Sequence, residues 1–152
     1  MINLYDSRDD VLKHKERLDK SIQKLRNILN ERSKTHDDSK LEPPEKEIFD
    51  KNSEKLKTLE FGSKEYNESL AEMEVALKHH YAINRHHPQH HKDGIQGMTL
   101  IDLCEMVCDW YDSASRTKDG NIYKSIEINQ LKFGYSDELK RILINTIKEH
   151  LE

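Results

Sequence analysis

The sequence predicts an all-α protein, a single compact helical bundle over residues 1–152. Three observations predict it. Apolar residues recur at the three- and four-residue spacing of an amphipathic helix, segment after segment. No stretch alternates apolar and polar with the period of two that a half-buried strand needs. The breaks between periodic segments carry Pro, Gly and short polar residues: LEPPE at 41–45, FGS at 61–63, QHHKDGIQG at 89–97 and TKDGN at 117–121. A length of 152 residues suits one domain with one core.

Residues 7–35 predict the first helix. Ser7 can cap it, Asp9 and Asp10 sit in its first turn, and Val11, Leu18, Ile22, Leu25 and Leu29 form its apolar stripe. His14 and Arg32 fall on the edge of that stripe, and His36 would follow if the helix continued. Two prolines stop it, and a second helix is predicted from there through Ile48 and Phe49 toward Leu59. A third runs from about Ser63 to His87, with Leu70, Met73, Leu77, Tyr81 and Asn84 on one face. Pro88 biases His87 away from helical geometry and ends it. Thr99 opens a fourth, with Asp102 in the capping-box position and Leu100, Leu103, Cys104, Val107 and Tyr111 toward the core. A helix over about 122–131 and a last one capped by Ser136 and running to His150 complete the chain.

Charged residues make up 36% of the chain and net charge is −4, with no basic block, so an extended nucleic-acid footprint is not expected. No apolar run approaches the roughly 20 residues of a membrane helix. The N-terminus lacks the basic-then-apolar pattern of a signal peptide. Cys104 and Cys108, four apart on one helix, are core residues in this reading rather than a disulfide framework, which fits a reducing cytoplasm.

The chemistry-bearing residues are concentrated. HHYAINRHHPQHH, residues 79–91, holds six of nine histidines. At 100° per residue, His80 and His87 face inward with Leu77, and His79 and His86 face out, although one bulge in the helix would exchange the members of each pair. An inward imidazole must be paired or ligated, because a buried polar group without a partner is costly. Any one of these histidines could equally cap a helix end and contact water. Residues 32–40 read RSKTHDDSK. His36 and Asp37 offer a nitrogen and an oxygen from one turn, a donor pair that suits a divalent transition metal, though a polar helix terminus would look the same. Lys40 lies three residues on, where its ammonium could reach a bound phosphate, and Arg32 could assist. In DLCEMVCDW, Asp109 can close a metal site while Glu105 supports it or moves protons; a solvated acidic face is the plain alternative. His14 is set apart: an unbroken helix would hold it about 33 Å from His36.

Taken in order, His14, His36-Asp37 with Lys40, His80, His87 and Asp109 resemble the HD-domain superfamily of metal-dependent phosphohydrolases, with its early His, HD doublet and late Asp. HDDSK is similar to the HDxGK form of members with two metals, with Ser in place of Gly. HDDSK, HHYAINRHHP and EMVCDW together resemble, over residues 14–147, a family of small phage and bacterial proteins of unassigned function. The resemblance implies an HD-like helical fold and one or two divalent ions (Mn, Fe, Co, Ni or Zn). It implies His14, His36, Asp37, His80, His87 and Asp109 as ligands. The implied activity is hydrolysis of a nucleotide or related phosphoester in the cytoplasm, the host's if the protein is phage-encoded. Two other functions fit the same residues: a non-enzymatic, metal-containing phage protein that binds a host partner or sequesters a nucleotide, and a di-iron oxygenase.

Overall fold

The structure is a computed structural model that describes residues 5–116 and 120–152. It is all-α: seven α-helices and three short 3₁₀ turns among the described residues, with no strand. The turn expected at 117–121 lies in part outside the described residues. The chain divides into two units, one ending at Thr35 and one running from His36 to Glu152.

The first unit is α1 (Arg8–Thr35), an unbroken helix of 28 residues. Its stripe of Val11, Leu18, Ile22 and Leu25 is exposed, and none of its residues is buried.

The second unit holds α2 (Glu45–Lys57), α3 (Lys64–Glu72), α4 (Glu74–Ile83), α5 (Leu100–Arg116), α6 (Ile122–Phe133) and α7 (Asp137–His150). Side-chain caps fix the starts of several of them. Ser63 accepts from Tyr66 N, Asn121 from Tyr123 N and Lys124 N, and Ser136 from Leu139 N. Thr99 and Asp102 form the expected reciprocal box: Asp102 Oδ2 accepts from Thr99 N at 2.8 Å, and Asp102 N donates to Thr99 Oγ1 at 3.2 Å. Gly134, at φ 66°, takes the left-handed conformation that closes α6. The core lies among α5, α6 and α7, built from Met106, Val107, Ala114, Ile122, Ile126, Leu143 and Ile147.

Two expectations need correcting. The predicted third helix is two helices. The backbone departs from helical geometry at Met73, with φ −100° and ψ 10°, and the second piece stops at Ile83 instead of His87. Asn84 is extended, and its side-chain amide donates to the His80 carbonyl at 2.9 Å, so it caps the helix it ends. The inward face of α5 is also rotated from the predicted one. Met106, Val107 and Ala114 are buried, with Leu103, Trp110 and Tyr111 packed beside them, whereas Leu100 is 79% exposed and both cysteines are exposed. The large side chains Met106 and Trp110 bring more apolar surface to the core than two thiols, and they set the rotation.

Candidate metal centre

Asp37 begins the site. It sits just beyond the end of α1 in the left-handed region, φ 61° and ψ 16°, an uncommon conformation for a residue with a side chain. The chain turns there into the 3₁₀ segment Asp38–Leu41, which packs on α2 and α4. The turn gives the Asp37 carboxylate two different surroundings. Oδ1 lies 3.3 Å from His80 Nε2 and 3.5 Å from His86 Nε2. Oδ2 lies 2.6 Å from Lys40 Nζ and 3.6 Å from His36 Nε2. From α5, Asp109 approaches His36 Nε2 at 3.7 Å and His86 Nε2 at 4.0 Å. His87 Nε2 is 2.9 Å from His80 Nε2.

The ring nitrogens are oriented by two glutamates. Glu105, on α5, accepts at one oxygen from His36 Nδ1 at 2.8 Å and lies 3.2 Å from His86 Nδ1. Glu45, in the first turn of α2, is fully buried and accepts from His79 Nδ1 at 2.7 Å and His80 Nδ1 at 2.9 Å. A carboxylate can only accept, so each of these imidazoles commits its Nδ1 proton outward. The Nε2 atoms of His36, His80 and His86 are then left facing the two aspartates. Ser39 completes the support. Its hydroxyl donates to Glu45 at 3.0 Å and accepts from the Asn84 amide at 2.8 Å.

Three groups of donors therefore have ligand atoms within 4.8 Å of one another: Asp37, His80, His86 and His87; His36, His86 and Glu105; and His36, Asp37 and Asp109. Asp37 Oδ1 and His86 Nε2 are among the buried atoms that form no hydrogen bond. Buried polar atoms are almost always satisfied, and these two face each other at 3.5 Å.

Electrostatics agree with the geometry. Asp109 and Glu105 raise His36 to about 10 against the cost of burial. Asp37 is held well below the usual carboxylate range by His80 and Lys40, which outweigh its burial. His87 is pushed down to about 3 by burial and by His86 and His80, so its ring is neutral.

His36, Asp37, His80, His87, Glu105 and Asp109 come together as the sequence pattern grouped them, with Lys40 at their edge. His14 does not join these groups. It is exposed on α1, 21 residues and roughly 32 Å of helix rise before Thr35. Arg32 is on α1 as well, partly exposed. His86, expected to face out, is 1% exposed and faces the aspartates. The helical phase stops applying once α4 ends at Ile83, so counting 100° per residue misplaces it. His79 does point away from the aspartates, onto Glu45. His90 and His91 donate to the backbone carbonyls of Tyr81 and Arg85 and close the turn after α4. Asp102, in the same acidic sector as Glu105 and Asp109, serves the α5 cap and pairs with Arg85 at 3.2 Å.

Fold and site together define an all-α protein whose second unit gathers imidazoles and carboxylates able to hold a metal. The chain belongs to the Family of unknown function (DUF5662), whose model matches residues 3–152. No curated protein and no solved structure matches it. No helix among the described residues is long and apolar enough to cross a membrane.

Proposed function

We propose that the protein is a metal-dependent phosphohydrolase of HD-like type, acting on a nucleotide or related phosphoester. The observation that carries the reading is the convergence of Asp37 Oδ1 and His86 Nε2, buried and without a hydrogen bond, among further lone pairs. Four imidazoles and two aspartates exceed what one tetrahedral ion uses. The two faces of Asp37 suit two ions. His80, His86 and His87 would hold one with Asp37, and His36 and Asp109 would hold the other with Asp37. The donor set of imidazole and carboxylate fits Mn, Fe, Co, Ni or Zn. Bound metal would polarise the phosphoryl group and acidify a water.

The chain's own residues supply the rest. Lys40 holds its ammonium 2.6 Å from Asp37 Oδ2 and over the Phe49 ring, so a cation stands at the rim of the ligand set. A phosphoryl oxygen beside Asp37 would lie within its reach, and the charge would offset negative charge developing in the transition state. Glu105 touches two of the imidazoles and can take a proton from one of them.

The test is a panel of nucleotides, cyclic nucleotides and simple phosphate esters, each with Mn, Co, Ni and Fe. Release of phosphate or nucleoside monophosphate is expected, lost in Asp37→Asn and impaired in Lys40→Ala with metal content kept. A fully metallated protein that turns over no phosphoester overturns the reading. Nucleotide binding without turnover would then favour sequestration, and oxygen consumption by the ferrous protein with an organic co-substrate would favour an oxygenase.

A further inference from the structure

The long helix of the first unit carries an apolar stripe without cover. Val11, Leu18, Ile22 and Leu25 are each about half exposed, Leu29 is partly exposed, and no residue of α1 is buried. Most helices draw their stability from packing such a stripe, and this 28-residue helix packs none of it. We propose that the stripe is covered by α1 of a second copy of this chain, the two helices pairing antiparallel as a two-stranded coiled coil. The proposal concerns the first unit alone and is independent of the metal centre and of the phosphohydrolase reading.

The spacing of the stripe is that of a coiled-coil seam. Val11, Lys15, Leu18, Ile22, Leu25, Leu29 and Arg32 follow one another in alternating steps of four and three, a heptad repeat held along the helix. Lys15, Ile22 and Leu29 take one position of the heptad, and Val11, Leu18, Leu25 and Arg32 take the other. A seam of this kind is filled by one facing helix, whose own seam residues set into the holes between these.

Charge complementarity fixes direction and register. Set antiparallel with Ile22 opposite the partner's Leu25, Leu18 meets the partner's Leu29, and the reciprocal pairs follow by two-fold symmetry. The consecutive layers from Leu18 to Leu29 are then wholly apolar. Beside the seam, Asp19 meets the partner's Arg26, and Arg26 meets the partner's Asp19. Within its own chain Arg26 donates to Gln23 Oε1 at 3.2 Å and has no carboxylate partner among the described residues. Lys15 and the partner's Arg32 flank the apolar layers at each end, where long side chains reach water. Sliding one heptad in one direction carries Lys15 onto the partner's Leu25 and sets Asp19 against the partner's Asp19. Sliding in the other carries Ile22 onto the partner's Arg32 and sets Arg26 against the partner's Arg26. A parallel pair stacks Lys15 on the partner's Lys15 and Arg32 on the partner's Arg32, and it separates Asp19 from Arg26.

Sedimentation equilibrium of the full chain reads the outcome. A dimer of twice the 18.0 kDa chain is expected at micromolar concentration. Leu25→Glu sets a carboxylate against the partner's Ile22 and should give a monomer; Ile22→Gln is a milder second variant should the glutamate disturb folding. The charges test direction. Asp19→Arg or Arg26→Asp alone should weaken dimerisation about tenfold at low salt and less at high salt, because an attractive pair and its symmetry mate turn repulsive. Both exchanges in one chain should restore the wild-type constant to within about threefold, since the two sites then attract again. A wild-type chain that sediments as a monomer overturns the proposal, as does a trimer or larger assembly. A dimer that survives both Leu25→Glu and Ile22→Gln, or a double exchange that binds no tighter than the single ones, overturns it too.

Discussion

Glu45 gives the sharpest handle on how the metal centre is built. It is fully buried and accepts from two adjacent histidines through its two oxygens. Glu45→Gln keeps the shape and replaces one acceptor oxygen with an NH₂ donor. One of the two imidazoles must then give up its Nδ1–H or face a donor. If His80 is the one, its proton moves to Nε2 and its lone pair leaves the site, where Asp37 Oδ1 stands 3.3 Å away. Loss of such an orienting carboxylate typically weakens metal binding 10- to 100-fold, about 1.4–2.7 kcal/mol. Competition titration of Zn and Co against a chromogenic chelator measures it, and the visible bands of the Co-loaded protein report the changed ligand field. His79→Ala is the control. It removes the half-exposed partner of Glu45 and should change affinity less than about threefold, since Glu45 keeps its bond to His80. A folded Glu45→Gln protein that binds metal as tightly as the wild type refutes the reasoning.

The other expectations follow from the same geometry. His86→Ala should abolish high-affinity metal binding, because His86 Nε2 faces both aspartates; elemental analysis after reconstitution checks this, and full metal content in that variant would remove His86 from the ligand set. Asp102→Ala should lower the thermal midpoint by removing the α5 cap, worth about 1 kcal/mol or more. It should leave metal affinity intact, and calorimetry with parallel metal titration separates the two. In metal-free protein His36 is raised above its unfolded value of 6.5 to about 10, so its contribution to stability is full below pH 6.5 and is lost as pH rises toward 10. His87 is lowered to about 3, so its contribution is present above pH 6.5 and is lost as pH falls toward 3. The metal-free midpoint should therefore peak near pH 6.5 and fall on the alkaline side, a fall that His36→Gln should flatten. Metal affinity should rise over the same alkaline window, because binding displaces the His36 proton.

Much of the helical layout was legible because its signals are local. Thr99 with Asp102, and Ser136 before DELK, mark helix starts through bonds that span three residues. The HD doublet and Asp109 were legible as donor types at suggestive positions. Two things were not. The phase of His86 depends on where α4 stops, and that is decided by the Asn84 side chain folding back onto His80, which no periodicity reveals. The role of Glu45 depends on a contact across 35 residues with His80, and a lone glutamate after two prolines looks like a helix N-terminus and nothing more. The inward face of α5 keeps Leu103, Val107 and Tyr111 but turns from the cysteines toward Met106 and Trp110: cysteine is commonly buried, yet the bulk of Met106 and Trp110 decides which face the core accepts. His14 was grouped with the site by resemblance alone, and the unbroken α1 shows why helix length argued otherwise.

The central claim is that the His36, Asp37, His80, His86, His87 and Asp109 donors hold metal. Its most direct measurement is the metal content and thermal midpoint of the full chain, stripped and then reconstituted singly with Mn, Fe, Co, Ni and Zn. One or two ions per chain are expected for at least one metal. The midpoint should rise with free metal, because a ligand held only by the folded state stabilises it by mass action, about 2.7 kcal/mol at 100 times Kd. Asp37→Asn should lose both effects. A chain that takes up none of these metals and gains no stability from any of them contradicts the claim.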